Sequence, residues 1–356
     1  MSSHDVIIVG AGPAGSIAAL MLARARHRVA LLDRAAFPRA KVCGNCINPA
    51  AWDIWQRLGL KNSFEALPHQ ELSGFTLQCE DRTIYRQAFR SPQHGPRAIA
   101  RDVFDDWLRH EAEKAGAEFF PETTVTGIDP KGIVQTSRGD FSGKLIFGAD
   151  GRNSIVARQS GLMPAPRRCH RVAWQVSIPA PSELDDQIHM HLFEEGYFGY
   201  CRHSATEAVI SMVLDSRRTQ DPLHLVRRYF PHFAEQNWLR MNPITRAPAR
   251  TGSGRVWLLG DAARVVEPFT GEGIYFALAT GLLAAEAAQK GLARNNPASA
   301  LGTYSRSHWL LYARRAWVNT LVRWSLTTPS RTVRLLRKME HLPSFVSFLS
   351  HRVHAT

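Results

Sequence analysis

The chain has 356 residues, enough to bury a large core and to form one to three domains. Its hydrophobic fraction of 44% and charged fraction of 21% are those of a soluble globular protein. The net charge of +13 would suit nucleic acid, a membrane surface or acidic ligands, but no nucleic-acid-binding motif accompanies it.

Residues 1–5 are too short and too uncharged for a secretory n-region, so no signal peptide is expected. The apolar run 6–9 reads as a buried parallel strand. It ends in Gly10-Ala11-Gly12-Pro13-Ala14-Gly15, the G-x-G-x-x-G pattern. Helical spacing follows at Ile17, Ala18, Met21, Leu22 and Ala25, and a second strand, 28–32, ends at Asp33. This is a complete strand–turn–helix–strand unit for a dinucleotide. Gly10 permits the tight turn, Gly12 admits a pyrophosphate, and Gly15 lets helix and strand pack closely. The helix N-terminus offers N–H groups to the phosphates, and Asp33 suits the hydroxyls of an adenosine ribose. The motif alone leaves NAD and FAD open.

Beyond a loop with Cys43-Gly44-Asn45-Cys46, Asn48 as N-cap and Pro49 predict a helix carrying Trp52, Trp55 and Leu58 and ending at Gly59. Alternation over 72–90 predicts a hairpin turning at 80–82. Residues 101–115 read as a helix, 118–129 and 133–137 as short strands, and 144–147 as a strand entering Gly148-Ala149-Asp150-Gly151. Several antiparallel strands are expected over 171–214, a helix over 222–238, and a buried strand over 255–259 ending in Gly260-Asp261. Residues 273–290 read as a small-residue helix. Their apolar stretch 273–285 is too short to span a bilayer. The C-terminal segment reads as helical and basic, with nine Arg or Lys after Gly302 against Glu340 alone. The predicted organisation is α/β: a discontinuous FAD-binding domain of Rossmann type (1–70, 97–165 and 253–300), an interleaved antiparallel-sheet substrate domain (71–96 and 168–250), and a helical tail, 301–356.

The three glycine–acid turns, at 10–15 with Asp33, 148–151 and 260–263, resemble the FAD-dependent oxidoreductases of the p-hydroxybenzoate hydroxylase and geranylgeranyl reductase type. The resemblance covers roughly residues 4–300. It implies FAD as cofactor and NADPH or NADH as transient donor. It implies that Ala14 and Arg34 belong to the cofactor site with Gly10, Gly12, Gly15 and Asp33, that Asp150 and Gly151 lie near the pyrophosphate, and that Gly260 and Asp261 meet the ribityl chain. Arg101 matches an arginine on the flavin side, and Val125 lies where adenine meets the backbone. Pro268, Gly271 and Gly273 open a helix whose N-terminus would stabilise negative charge on a reduced flavin.

Lys41-Val42-Cys43-Gly44 and the 268–277 wording resemble the geranylgeranyl reductase branch and place Lys41 at the cofactor. Residues 196–201 depart from that branch, and the absence of Trp-x-Trp argues against flavin halogenases. Cys46, Tyr197 and Tyr200 are expected to line the substrate pocket, and no acid or base stands out as catalytic. No metal is expected, since Cys43 and Cys46 lack two further ligands at zinc spacing. The implied activity is reduction of a C=C bond in a small hydrophobic isoprenoid, polyketide or aromatic substrate. The alternative is hydroxylation of an aromatic ring by an NAD(P)H-dependent flavin monooxygenase. Five scattered cysteines suit a cytoplasmic setting, and the tryptophans and arginines of 304–338 suggest peripheral contact with the inner face of a membrane.

Overall fold

The structure, a computed structural model, describes residues 2–79, 82–89, 94–165, 169–219, 221–233, 235–241 and 246–327. The expected turn at 80–81 and the tail beyond 327 lie outside the described residues.

An eight-stranded sheet forms the first layer. Its centre is five parallel strands in the order Val256–Leu258, Phe141–Gly148, Ser2–Val9, Val29–Leu32 and Glu118–Phe120. Residues 6–9 form an unbroken apolar run because both faces are covered. Val6 and Ile8 face the helices Pro13–Arg24, Arg101–Lys114 and Gly273–Ala293, while Ile7 and Val9 join the core beneath the short helix Ile155–Gln159.

A seven-stranded sheet forms the second layer, in the order Leu239–Met241, Arg171–Pro179, Glu207–Asp215, Gly196–Arg202, Gln187–Phe193, Gly74–Cys79 and Arg82–Ala88. The expectation of an antiparallel sheet needs one correction, since Gln187–Phe193 pairs in parallel with Gly74–Cys79. No tight turn joins these two strands, so nothing imposes an antiparallel sense on them. One face of this sheet packs under the helix Pro222–Tyr229; the other turns toward the nucleotide layer. A small sheet of Cys46–Ile47, Arg97–Ala98 and Gln70–Glu71 sits where the chain crosses between them.

Two local expectations change. The helix Ala51–Leu58 begins after Asn48, whose side chain accepts from the Ala50 N–H at 3.0 Å as a turn preceding the helix. The helix expected over 222–238 stops at Tyr229, and a 3-10 turn, Pro231–Phe233, follows, because Pro231 has no N–H to continue the ladder.

The helices Pro13–Arg24 and Gly273–Ala293 touch backbone to backbone. A Cβ on Gly281 would lie 2.3 Å from the Ala14 carbonyl oxygen. Gly281→Ala is therefore expected to destabilise the protein by about 1–3 kcal/mol despite alanine's better helix propensity. Gly302→Ala, where an added Cβ meets nothing within 4 Å, serves as control in thermal melts and should not destabilise. Equal melting of the two variants would contradict the close helix contact.

Candidate active site

Three adjacent parallel strands end side by side. Val9 pairs with Gly148, and Gly148 with Leu258. Their C-terminal ends therefore bring the three glycine turns together at one edge, where open α/β sheets bind ligands. Gly10 has φ +104°, and a Cβ there would lie 2.5 Å from the Ala149 carbonyl oxygen. A Cβ on Gly15 would lie 1.9 Å from the Gly10 oxygen. Gly12 differs: its Cβ would meet only the Arg39 guanidinium, at 3.7 Å, because this residue faces an open cleft. The helix that starts after it has no side-chain cap, so its first N–H groups are left for a ligand.

The cleft lies between these turns and the inner face of the second sheet and is open to solvent on one side. Gly12, Ala14, Lys41, Arg101, Gly151, Asp261, Pro268, Gly271, Gly273 and Cys46, all expected from sequence, line it. Gly10, Gly15 and Gly260 stand behind the wall and let it close up. Asp33 lies behind Ala11, accepting its N–H at 2.9 Å and that of Ala35 at 3.0 Å. The Thr123 N–H donates to the Asp33 carbonyl at 2.8 Å, which brings the strand beginning at Val125 to this end. Arg34 is exposed. Asp150 does not line the cleft; its carboxylate accepts the N–H groups of Ile155 at 2.7 Å and Val156 at 3.2 Å and so fixes the turn.

The two tyrosine expectations fail in different ways. Tyr200 points to the other face of its strand, stacked on His189 at 4.8 Å and edge-on to Phe230. Positions 197 and 200 are an odd number apart, so one strand cannot aim both at the same cavity. Tyr197 is on the inner face but is buried behind the lining, its hydroxyl donating to Glu267 at 3.1 Å. His191 stacks on Phe198 beside this outer ladder.

Two charge networks went unseen in the sequence. The first alternates Asp33, Arg39, Asp105 and Arg101: Arg39 lies 3.6 Å from Asp33 and 3.3 Å from Asp105, and Arg101 grips Asp105 at 2.8 and 2.9 Å. Burial is the largest single influence and opposes the Arg101 cation, but Asp105 and the neighbouring Cys43 together outweigh it and raise the guanidinium pKa. The second joins the layers. Arg171, at the head of the second sheet, holds Glu267 in two hydrogen bonds of 2.7 and 2.8 Å, immediately before the turn Pro268–Thr270. An acid within the run Val265-Val266-Glu267-Pro268 was the one available signal; its partner 96 positions away was not readable.

The sheet also positions the loop bearing the cysteines. Gln175 accepts the Cys43 N–H at 2.5 Å, and the Ser211 hydroxyl donates to the Cys43 carbonyl at 3.4 Å. All five cysteines are free. Burial pushes the Cys46 thiol up, and that of Cys201 up to about 12, so both stay protonated. Asp261 lies 3.7 Å from Arg152, while Arg246 donates to the Asp261 and Ala262 carbonyls at 2.5 Å and locks the third turn.

Lys41 is pushed down to about 8, first by burial and then by the neighbouring Arg101. Its folded pKa lies below the ordinary value of 10.5, so between about pH 8 and 10.5 the unfolded chain binds more protons and stability gains with pH. The stability of the protein without bound cofactor, relative to that of Lys41→Met, is expected to rise across this window. A constant difference between the two would place Lys41 in water.

The residues present fit a dinucleotide: an uncapped helix end, a glycine open to the cleft, and cations beside it. The FAD binding domain family matches residues 3–220. A menaquinone reductase of Mycolicibacterium smegmatis is 30% identical over 318 residues, 79% of this chain and 75% of that protein. A geranylgeranyl diphosphate reductase of Rhodobacter capsulatus is 32% identical over 316 residues, 83% and 77% of the two chains. A geranylgeranyl bacteriochlorophyll reductase-like structure from Thermoplasma acidophilum superposes with a TM-score of 0.79 at 20% identity, covering 100% of this chain and 96% of that one. The chain belongs to the FAD binding domain family and is a FAD-dependent oxidoreductase.

Proposed function

We propose that this enzyme reduces a carbon–carbon double bond in a lipophilic, prenyl-type substrate, with NADPH or NADH as electron donor. One observation carries the reading. The cleft lining sets a charged end, with Lys41, Arg101, Arg152 and Asp261, beside an apolar wall on the inner face of the second sheet, Ala173, Val213 and Met241. The charged end suits the pyrophosphate and ribityl parts of FAD. Ala173, Val213 and Met241 carry no ionisable group, so this wall suits an uncharged hydrocarbon. FAD, when bound, supplies the two-electron chemistry that no side chain provides.

In this reading Gly12 and the following helix end hold the pyrophosphate, and Asp33 orients the ribose. Lys41 and Arg101 balance phosphate charge, and Asp261 receives the ribityl hydroxyls. The Pro268–Gly273 turn presents an uncapped helix end at the flavin edge, where negative charge develops on reduction. Tyr197, Arg171 and Glu267 fix that turn against the second sheet. The relatives named for menaquinone and geranylgeranyl diphosphate support a prenylated substrate.

The roles predict two phenotypes. Gly12→Val should lose FAD while keeping the melting temperature of the cofactor-free protein, because the position is open. Asp261→Ala should weaken FAD binding about ten- to a hundred-fold, as for a lost charged hydrogen bond of ~1.5–3 kcal/mol. Full FAD occupancy in both variants would contradict the assignment. The reaction is tested by reducing the flavin without oxygen and adding geranylgeranyl diphosphate, which has no quinone ring to take the electrons. The yellow absorbance should return anaerobically, with a product heavier by two hydrogens. Reoxidation only by oxygen, with a product heavier by one oxygen atom, would establish the monooxygenase instead.

A further inference from the structure

The two C-terminal helices have two distinct sides. In Leu301–Ala313, Tyr304, His308 and Tyr312 are buried, with Tyr304 stacked on Trp257 and Tyr312 on Phe276. The opposite side exposes Arg306, Trp309 and Leu310. In Ala316–Thr327, Leu326 and Val322 pack inward with Phe269 and Met241, while Trp317 and Trp324, seven positions apart, are exposed. Among the described residues, four of the five exposed large hydrophobic side chains lie on these two helices, and Trp309 is 64% exposed.

The charge of the same segment points one way. Residues 303–327 contain Arg306, Arg314, Arg315 and Arg323 and no Asp or Glu. Arg306 and Arg314 are exposed, whereas Arg315 is tied to Glu272. Among the described residues no helix is long and apolar enough to cross a bilayer, and exposed indoles amid arginines are the chemistry of a membrane–water interface. The rings sit at headgroup depth and the cations meet anionic lipid.

We propose that this face docks on an anionic bilayer surface. The inner side of the helix Ala316–Thr327 borders Met241, which lines the cleft, and Phe269, which belongs to its turn. Docking thus holds against the lipid a helix whose inner side packs with the residues at the cleft's edge. The surface claim rests on exposure and charge and stands independently of the reaction assigned above.

The test is co-sedimentation of the full FAD-loaded chain with phosphatidylcholine vesicles, with and without phosphatidylglycerol, at low and high salt. Pelleting is expected with the anionic vesicles at low salt, weakening as salt screens the charges. Each of Arg306→Gln and Arg314→Gln should lower vesicle affinity about five-fold. Trp309→Ser combined with Trp324→Ser should abolish pelleting while flavin absorbance and melting temperature are retained. No pelleting at low salt, or undiminished pelleting of the double serine variant, overturns the proposal. So does a concentration-dependent dimer that those serines dissolve in a protein that ignores vesicles, since a second copy then covers the face. Vesicle binding that arises only after residues 328–356 are removed overturns it as well, because the chain itself then occupies the surface.

Discussion

The structure depends on close backbone contact at the ends of three parallel strands. Side chains at Gly10, Gly15 or Gly281 would collide with carbonyl oxygens at 1.9 to 2.5 Å. Without those contacts the helices Pro13–Arg24 and Gly273–Ala293 could not bring their N-termini to one cleft. With them, two uncapped helix ends lie on the same cavity, one suited to phosphates and one to a reduced flavin ring. The glycines thus act by what they lack, and Gly12, where an added Cβ would meet only Arg39, is the one left open to the cleft.

Charge organises what the glycines bring near. Asp105 is fully buried yet satisfied, because Arg101 and Arg39 both reach it, and this fixes the Arg101 cation at the cleft with Arg39 behind it. Across the cleft, Arg171, Glu267 and Tyr197 tie the second sheet to the turn beside it. A buried ion pair is weak support for stability, but breaking one by removing a single partner is destructive. The position of the apolar wall relative to the turn is consequently held by hydrogen bonds with defined geometry, while the wall itself stays free of titratable carboxylates.

Much of the nucleotide layer was legible because its signals are local. A tight turn, a helix start and an acid at a strand end all fall within thirty residues, and the sheet order then places the turns at 148–151 and 260–263 beside the first. The second sheet was less legible because its pairing is long-range. The parallel contact between Gly74–Cys79 and Gln187–Phe193 spans more than a hundred positions and carries no turn signature. Tyr200 was misplaced for a simpler reason, since strand alternation already forbids positions 197 and 200 from sharing a face. Arg39 and Asp105 belong to no motif, and only the fold brings Arg39 between Asp33 and Asp105 from two other elements.

The proposed division of one cleft into a charged end for FAD and an apolar wall for a prenyl chain is tested most directly by a crystal structure. The protein would be loaded with FAD and geranylgeranyl diphosphate. The pyrophosphate of FAD should lie over Gly12, with the flavin ring at Pro268–Gly273 and the prenyl chain against Ala173, Val213 and Met241. A prenyl chain bound elsewhere on the protein, or a flavin ring turned away from that wall, would contradict the division.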